Sequence, residues 1–188
     1  MSERIVIIDG NSLINRAYYA MQKPMITKDG IYTQGIFGFV NMLNKIIGDY
    51  EPIYLTVAFD LKAPTFRHLE YDAYKAGRKP MPEELRQQMP IIKKILTLLG
   101  CTVVETEGYE ADDILGTLSA ATADAGGECF IATGDRDALQ LVGDQVTVLL
   151  AATKMGHPET TVFDRAAIEE KYGLQPEQLI DLKALMGD

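Results

Sequence analysis

Short, unbroken apolar runs alternate along this chain with longer segments in which apolar residues recur every three or four positions. The unbroken runs are typical of strands buried on both faces of a parallel sheet, and the periodic segments are typical of helices. The pattern predicts strands at residues 4–9, 54–60, 101–105, 128–133 and 146–150. It predicts helices at residues 12–21, 35–47, 83–99, about 110–125, 137–142, 164–172 and 176–186. A β-hairpin or an irregular connection is expected over residues 151–162.

Strands that alternate with helices predict an α/β fold of three layers, with a central, mainly parallel, twisted sheet and helices on both of its faces. The 188 residues contain no internal repeat or linker, and we expect one domain over residues 1–188. Residues 61–82, called the arch below, lose apolar periodicity and collect basic and aromatic side chains. They are expected to form a long mobile element or a pair of short helices.

Acidic residues stand where the predicted strands end. The first and second strands end in an aspartate, the third leads into the stretch G-Y-E-A-D-D, and two further aspartates follow the fourth. The residues concerned are Asp9, Asp60, Glu110, Asp112, Asp113, Asp135 and Asp137. Because ligands bind beyond the carboxyl ends of parallel strands, we expect these side chains to share one edge of the sheet.

Two explanations of the G-Y-E-A-D-D stretch are open when it is considered alone. One or two acids in the first turn of a helix are stabilised by the helix dipole, but three neighbouring like charges oppose one another. The acids at the other strand ends favour a site for divalent cations. Oxygen ligands select Mg²⁺ or Mn²⁺, and eight acids, counting Asp188, predict two or more ions with some ligands acting through water. Two ions about 3.5–4 Å apart are the arrangement that cleaves phosphodiesters.

The charge of the chain is unevenly distributed. The net charge of −9 argues against nucleic acid as a partner, yet residues 62–94 carry eight Lys or Arg and only four Asp or Glu. This basic segment can bind phosphate locally. Cys101 and Cys129 are expected to be small buried hydrophobic residues in a reducing compartment. No signal peptide or membrane span is predicted, and a cytoplasmic location is expected.

Several strings in the chain resemble one known family. They include I-D-G-N-S-L-I-N-R-A-Y-Y-A, V-A-F-D, T-F-R-H, Y-K-A-G-R, G-Y-E-A-D-D, T-G-D-R-D and D-L-K-A-L-M-G-D. Over essentially its whole length the chain resembles the N-terminal 5′→3′ exonuclease domains of bacterial DNA polymerase I, which are related to the flap endonucleases. The resemblance implies a PIN-like, resolvase-like fold and a 5′ nuclease that acts on DNA in replication and repair.

The resemblance also implies roles for particular residues. The metal-binding acids of the family match Asp9, Asp60, Glu110, Asp112, Asp113, Asp135, Asp137 and Asp188. Lys75 and Arg78 match the residues that contact the scissile phosphate, and Tyr74 matches the residue that helps to position the 5′ end. The expected DNA-binding residues are Arg67, Tyr74, Lys75, Arg78 and Lys79.

One departure from the family concerns the end of the chain. Family members continue after Asp188 with a further acid and a helix-three-turn-helix element that binds the duplex, and this part is expected to be missing. We therefore expect a fragment that binds metal, holds DNA weakly and cleaves more slowly than a longer chain. The expected partners are DNA with a 5′ flap, nick or single-stranded 5′ end and a polymerase domain in cis. A monomer associated with the nucleoid is expected.

Other functions fit parts of the sequence. A haloacid-dehalogenase-like phosphatase needs a second aspartate two positions after the first, where this chain has Asn11. An RNA-cleaving PIN-like nuclease would use the same metal chemistry, and a non-catalytic DNA-binding fragment is a further alternative. The arch and the chain length favour a 5′ nuclease acting on DNA. No GxxxxGK[ST] loop is present, so an ATPase is not supported.

Overall fold

The structure, a computed structural model, describes residues 3–21, 23–71, 73–75, 77, 80–154 and 157–186. Its strands are β1 (Arg4–Asp9), β2 (Tyr54–Ala58), β3 (Thr102–Val104), β4 (Glu128–Thr133), β5 (Val146–Lys154) and β6 (His157–Phe163). Its α-helices are α1 (Gly10–Ala20), α2 (Gln34–Tyr50), α3 (Phe66–Glu70), α4 (Glu83–Arg86), α5 (Gln88–Leu98), α6 (Ala111–Asp124), α7 (Arg165–Tyr172) and α8 (Leu179–Met186). Two 3₁₀ helices span Arg136–Leu141 and Pro176–Gln178.

A six-stranded sheet in the order β3-β2-β1-β4-β5-β6 forms the middle layer. The first five strands pair in parallel, and β6 returns antiparallel to β5, so the predicted sheet and the hairpin after residue 150 are confirmed. The chain runs outward from β1 to β3 and then places β4 on the other side of β1. Such a reversal of strand order leaves a crevice at the carboxyl ends of β1 and β4.

Two apolar cores cover the two faces of the sheet. Val6 and Ile8 pack with α1, α2 and α5, whereas Ile7 between them packs with α6 and α7. All three side chains are completely buried, which explains why the strand has no polar alternation. Cys101 lies in the first core and Cys129 in the second, and both are buried free cysteines, as expected.

Two helices end or divide at positions that differ from the prediction. α2 continues through Gly48 and ends at Tyr50, and it is capped by Glu51, whose backbone is left-handed with φ 46°. Pro52 explains this end, because the residue before a proline is disfavoured in the helical conformation. The single helix predicted before β3 is divided at Gln87 into α4 and α5. Pro90 explains the division, because it has no N–H to donate to the carbonyl four residues earlier.

The described part of the arch forms α3 and a turn at residues 73–75. No helix in the described ranges combines the length and the apolar character needed to cross a bilayer.

Replacing Gly10 by alanine is expected to lower the free energy of unfolding by about 1–3 kcal/mol, because the new methyl group overpacks the core. Its Cβ would lie 2.4 Å from the ring of Phe59, which is completely buried. Gly48→Ala is the control, since a Cβ there has no atom within 4 Å and alanine favours the helix by about 1 kcal/mol. Urea unfolding measures both, and equal stability of the two variants would contradict the packing of Phe59 on α1.

Candidate active site

The carboxyl ends of β1 and β4 are joined by hydrogen bonds where the strand order reverses. The Thr133 hydroxyl donates to Asp9 Oδ2 (2.9 Å), and Asp9 Oδ1 accepts the Ser12 N–H at the start of α1 (2.9 Å). Asp135 begins the 3₁₀ helix that follows β4 by accepting the N–H of Asp137 (3.0 Å). Both strand ends therefore hold a carboxylate whose orientation is fixed by neutral donors.

The turn that carries Asp135 is held against α1. Ser12 Oγ accepts the Gly134 N–H (2.9 Å), and Arg16 Nη2 donates to the Gly134 carbonyl (2.9 Å). A Cβ on Gly134 would lie 2.5 Å from Arg16 Nε, so a larger residue there would displace the Arg16 side chain from this contact. Sequence reasoning missed Ser12 and Arg16 as positioning residues. Their spacing of four residues, which puts both on one face of α1, was the available signal.

Asp60 lies two residues beyond β2 and is bound by α6 and by Asn11. Its Oδ1 accepts the Ala111 N–H (2.7 Å), and its Oδ2 accepts the side-chain amide of Asn11 (3.0 Å). Asn11 Oδ1 accepts the Asp60 N–H in return (3.4 Å). These bonds connect the ends of β1 and β2 to the start of α6. Sequence reasoning used Asn11 only against the phosphatase, although a polar residue just after the Asp9 strand end could have indicated this role.

Five carboxylates line a single cavity of about 420 Å³ at this edge of the sheet. They belong to Asp9, Asp60, Glu110, Asp112 and Asp135. Lys75 is the only cation among the described residues that line it. The structure thus brings five of the eight predicted metal-binding acids together.

Loss of surrounding water, together with the nearby negative charges, raises the pKa of two of these carboxyl groups. Burial raises the pKa of Asp9 to about 6, and the charges of Asp60 and Asp135 act in the same direction. Asp112 is exposed at the cavity mouth, yet the loss of surrounding water and the nearby charges of Asp9 and Asp135 raise its pKa to about 6 as well. A bound cation would relieve this repulsion.

Glu110 and Asp113 are paired with side chains of the arch. Lys75 Nζ lies 2.6 Å from Glu110 Oε1, and the Tyr74 hydroxyl donates to Glu110 Oε2 (3.0 Å). Arg67 donates to both oxygens of Asp113 and lies 3.8 Å from Glu110 Oε2. Burial acts to raise the pKa of Glu110, but the bonds from Lys75 and Tyr74 outweigh it and lower that pKa. The bond from Arg67 lowers the pKa of Asp113.

The remaining predicted residues lie apart from the cavity or outside the described residues. Asp137 forms an ion pair with Lys183 of α8 and lines a separate groove of about 220 Å³. Arg78, Lys79 and Asp188 lie outside the described residues, and their roles stay predictions.

The donor set of the cavity fits a hard divalent cation, because it consists of oxygen atoms and carries an excess of negative charge. No three Asp, Glu, His or Cys side chains within the described ranges are grouped closely enough to hold a metal ion by themselves. An ion in this cavity would complete its coordination with water, as Mg²⁺ commonly does in proteins.

The fold and the site define an α/β protein with an acidic cavity at the carboxyl edge of its sheet. The chain belongs to the family of 5′-3′ exonuclease N-terminal resolvase-like domains, whose model matches residues 4–173. DNA polymerase I of Bacillus caldotenax is 44% identical over 189 residues, which cover 100% of this chain and 21% of that protein. The thermostable DNA polymerase I of Thermus thermophilus is 43% identical over 187 residues, with 98% and 21% covered. The chain spans about a fifth of the length of these relatives.

Solved structures share the fold at lower identity. A bacteriophage T5 protein co-crystallized with metal ions matches with a TM-score of 0.73 and 20% identity, covering 99% of this chain and 66% of that one. A bacteriophage T5 flap endonuclease, solved as a pseudo-enzyme-product complex with DNA and metal ions, matches with a TM-score of 0.70 and 20% identity, covering 99% and 67%. The predicted family and its PIN-like fold are confirmed.

Asp112→Asn is expected to stabilise the chain at pH 7 without divalent cations, because it removes one charge from the crowded cavity. The raised pKa means that the folded chain binds a proton at Asp112 more tightly than the unfolded chain does, so the cost of this charge is present above about pH 6 and declines toward pH 4. The gain, on the order of 1 kcal/mol or less after solvent screening, should shrink when urea unfolding is measured at pH 5.

Asp29→Asn, which changes an acid in an exposed loop, is the control and should leave stability unchanged at both pH values. A gain for Asp112→Asn that grows toward low pH, or no gain at pH 7, would contradict the crowding of these charges.

Proposed function

We propose that this chain is a divalent-metal-dependent 5′ nuclease, a 5′→3′ exonuclease or flap endonuclease that hydrolyses DNA phosphodiesters in replication and repair. The observation that carries the proposal is the cavity in which five carboxylates face one lysine at the carboxyl edge of the sheet. The exonuclease family, the polymerase I relatives and the DNA and metal ions named for the bacteriophage structure support it.

The proposed cofactor is Mg²⁺ or Mn²⁺, with two or more ions held by the carboxylates that line the cavity and by water. When bound, such ions activate the attacking water and neutralise the charge that develops on the leaving oxygen. The residues proposed to hold them are Asp9, Asp60, Glu110, Asp112 and Asp135. Asp137 and Asp188 stay predicted ligands.

Lys75 is the described residue of the arch that is best placed to meet the scissile phosphate, because its Nζ borders the cavity 2.6 Å from Glu110. Its backbone is left-handed with φ 57°, a conformation that costs a residue other than glycine about 1–2 kcal/mol. A phosphate oxygen that enters the cavity can replace Glu110 as the acceptor of the Lys75 hydrogen bond. The lysine charge would then stabilise the negative charge that develops on the phosphate in the transition state. Tyr74 is proposed to help position the 5′ end, and Arg78 to act beside Lys75.

The proposed substrate is DNA with a 5′ flap, a nick or a single-stranded 5′ end. The excess of Lys and Arg over residues 62–94 supports a contact with phosphates next to the acidic cavity. Arg67 and Lys79 are proposed DNA contacts within this segment. A polymerase domain in cis, a monomeric state and a cytoplasmic, nucleoid-associated location stay predictions for the whole protein.

Cleavage of a 5′-flap DNA that is labelled at its 5′ end tests the proposal. We expect the 188-residue chain to release short labelled products with Mg²⁺ or Mn²⁺ and none with EDTA. Asp112→Asn should slow cleavage by about a hundredfold or more, because it removes a carboxylate from the cavity. Asp124→Asn, which changes an acid at the other end of α6, is the matched control and should cleave at the unaltered rate.

Cleavage that persists in EDTA, or at full rate in Asp112→Asn, would contradict the proposed mechanism. Binding of the flap without cleavage would favour the non-catalytic DNA-binding alternative. Faster cleavage of single-stranded RNA than of the DNA flap would favour the RNA-cleaving alternative.

A further inference from the structure

Arg67 and Asp113 connect the arch to α6 through a two-pronged ion pair. Arg67 Nη1 lies 2.8 Å from Asp113 Oδ2, and Nη2 lies 2.7 Å from Oδ1. The two side chains are only 31% and 21% exposed, so the pair is partly shielded from water. Bidentate pairs of arginine with a carboxylate are among the strongest side-chain contacts and fix orientation as well as distance.

Asp113 has little capacity left for a metal ion. Its Oδ2 also accepts the Glu110 N–H (2.9 Å), so its two oxygens already serve three donors. A cation that bound Asp113 would have to displace the Arg67 guanidinium and leave that charge without its partner. The side chain also lines a different cavity, bordered by apolar groups such as Val104 and Ile114, rather than the acidic one.

The base of the arch makes further contacts with the loop before α6. The Phe66 N–H donates to the Gly108 carbonyl (3.0 Å), and the rings of Phe66 and Tyr109 are 5.9 Å apart. The Arg67 guanidinium lies 4.5 Å from the centre of the Phe66 ring. α3 is therefore attached both to this loop, through Phe66, and to the first turn of α6, through the ion pair of Arg67 with Asp113.

Tyr74 and Lys75, further along the arch, bind Glu110, the residue that caps the start of α6. We propose that Asp113 and Arg67 are positioning residues that anchor the arch to α6 and so hold Lys75 at the acidic cavity. Metal ligation belongs to the acids that line that cavity, and Asp113 is not among them. The part of this inference that concerns metal rests on the proposed function.

The neighbouring residues Asp112 and Asp113 give a matched test of the inference that Asp113 does not bind the metal ion. Mn²⁺ binding is measured by electron paramagnetic resonance of free Mn²⁺ for the 188-residue chain. We expect Asp113→Asn to change the Kd by less than about twofold, whereas Asp112→Asn, the same substitution one residue earlier, should weaken binding by about tenfold or more. Equal weakening by the two variants would overturn the inference.

Hydrogen exchange of peptides covering residues 61–82, measured without metal, tests the inference that Asp113 and Arg67 anchor the arch to α6. Asp113→Asn and Arg67→Gln should each accelerate exchange of the arch by about tenfold, and the double variant should add nothing, because both remove one contact. Exchange in β1 and β4 should stay unchanged, which separates loss of the anchor from general unfolding. Unaltered exchange of the arch in either single variant would overturn the inference.

Cleavage kinetics give a readout that loss of a metal ligand would not produce. For Asp113→Asn the maximal rate at saturating Mn²⁺ should fall by about ten- to a hundredfold, because Lys75 is misplaced, while the Mn²⁺ concentration for half-maximal rate stays the same. A shift of that concentration with an unaltered maximal rate would overturn the inference. An unaltered chain that bound no Mn²⁺ would contradict the proposed function, and the exchange comparison would still decide the role of the pair.

Discussion

Repulsion between carboxylates that share one edge of a parallel sheet is the constraint on which the rest of this molecule depends. The topology places the ends of β1, β2 and β4 and the start of α6 around one cavity. Burial raises the pKa of Asp9 to about 6, and the charges of Asp60 and Asp135 act in the same direction, so the ionised carboxylate is disfavoured without a counter-charge. Two apolar layers and the hydrogen bonds at the strand ends must supply the stability that the cavity lacks.

The donors that orient the acids are mostly neutral. Asp9 is held by the Ser12 N–H and the Thr133 hydroxyl, and Asp60 by the Ala111 N–H and Asn11. Neutral donors fix the direction of a carboxylate without cancelling its charge. The centre of the cavity therefore stays anionic. Among the described cations of the arch, Lys75 pairs with Glu110 at the cavity wall, and Arg67 pairs with Asp113, which lies outside the cavity. This division of charge would let the proposed cation site and the proposed phosphate contact lie side by side in a negatively charged chain.

Much of the fold could be predicted because it depends on local pattern. β1 and β4 have the predicted bounds, since strands buried on both faces form unbroken apolar runs. Convergence of the acids followed from the rule that ligands bind beyond the carboxyl ends of parallel strands. The division of the helix at Gln87 differs from the prediction, because apolar periodicity does not register the hydrogen bond that Pro90 cannot donate to the preceding turn.

The partners of the site residues could not be predicted in the same way. Ser12 binds Gly134 across 122 residues, and Arg67 binds Asp113 across 46, and such pairs depend on the folded geometry rather than on spacing. Asp135 and Asp137 both follow β4 in sequence, yet the 3₁₀ helix turns Asp137 toward Lys183. Its role as a ligand, like that of Asp188, stays a prediction.

The most direct test of the central claim is an X-ray measurement on crystals of the chain soaked in Mn²⁺, with data collected at the manganese absorption edge. We expect anomalous difference peaks inside the cavity lined by Asp9, Asp112 and Asp135, within bonding distance of a carboxylate or one water molecule away. Peaks confined to other surfaces, or an empty cavity at saturating Mn²⁺, would contradict the claim that these acids form a metal centre.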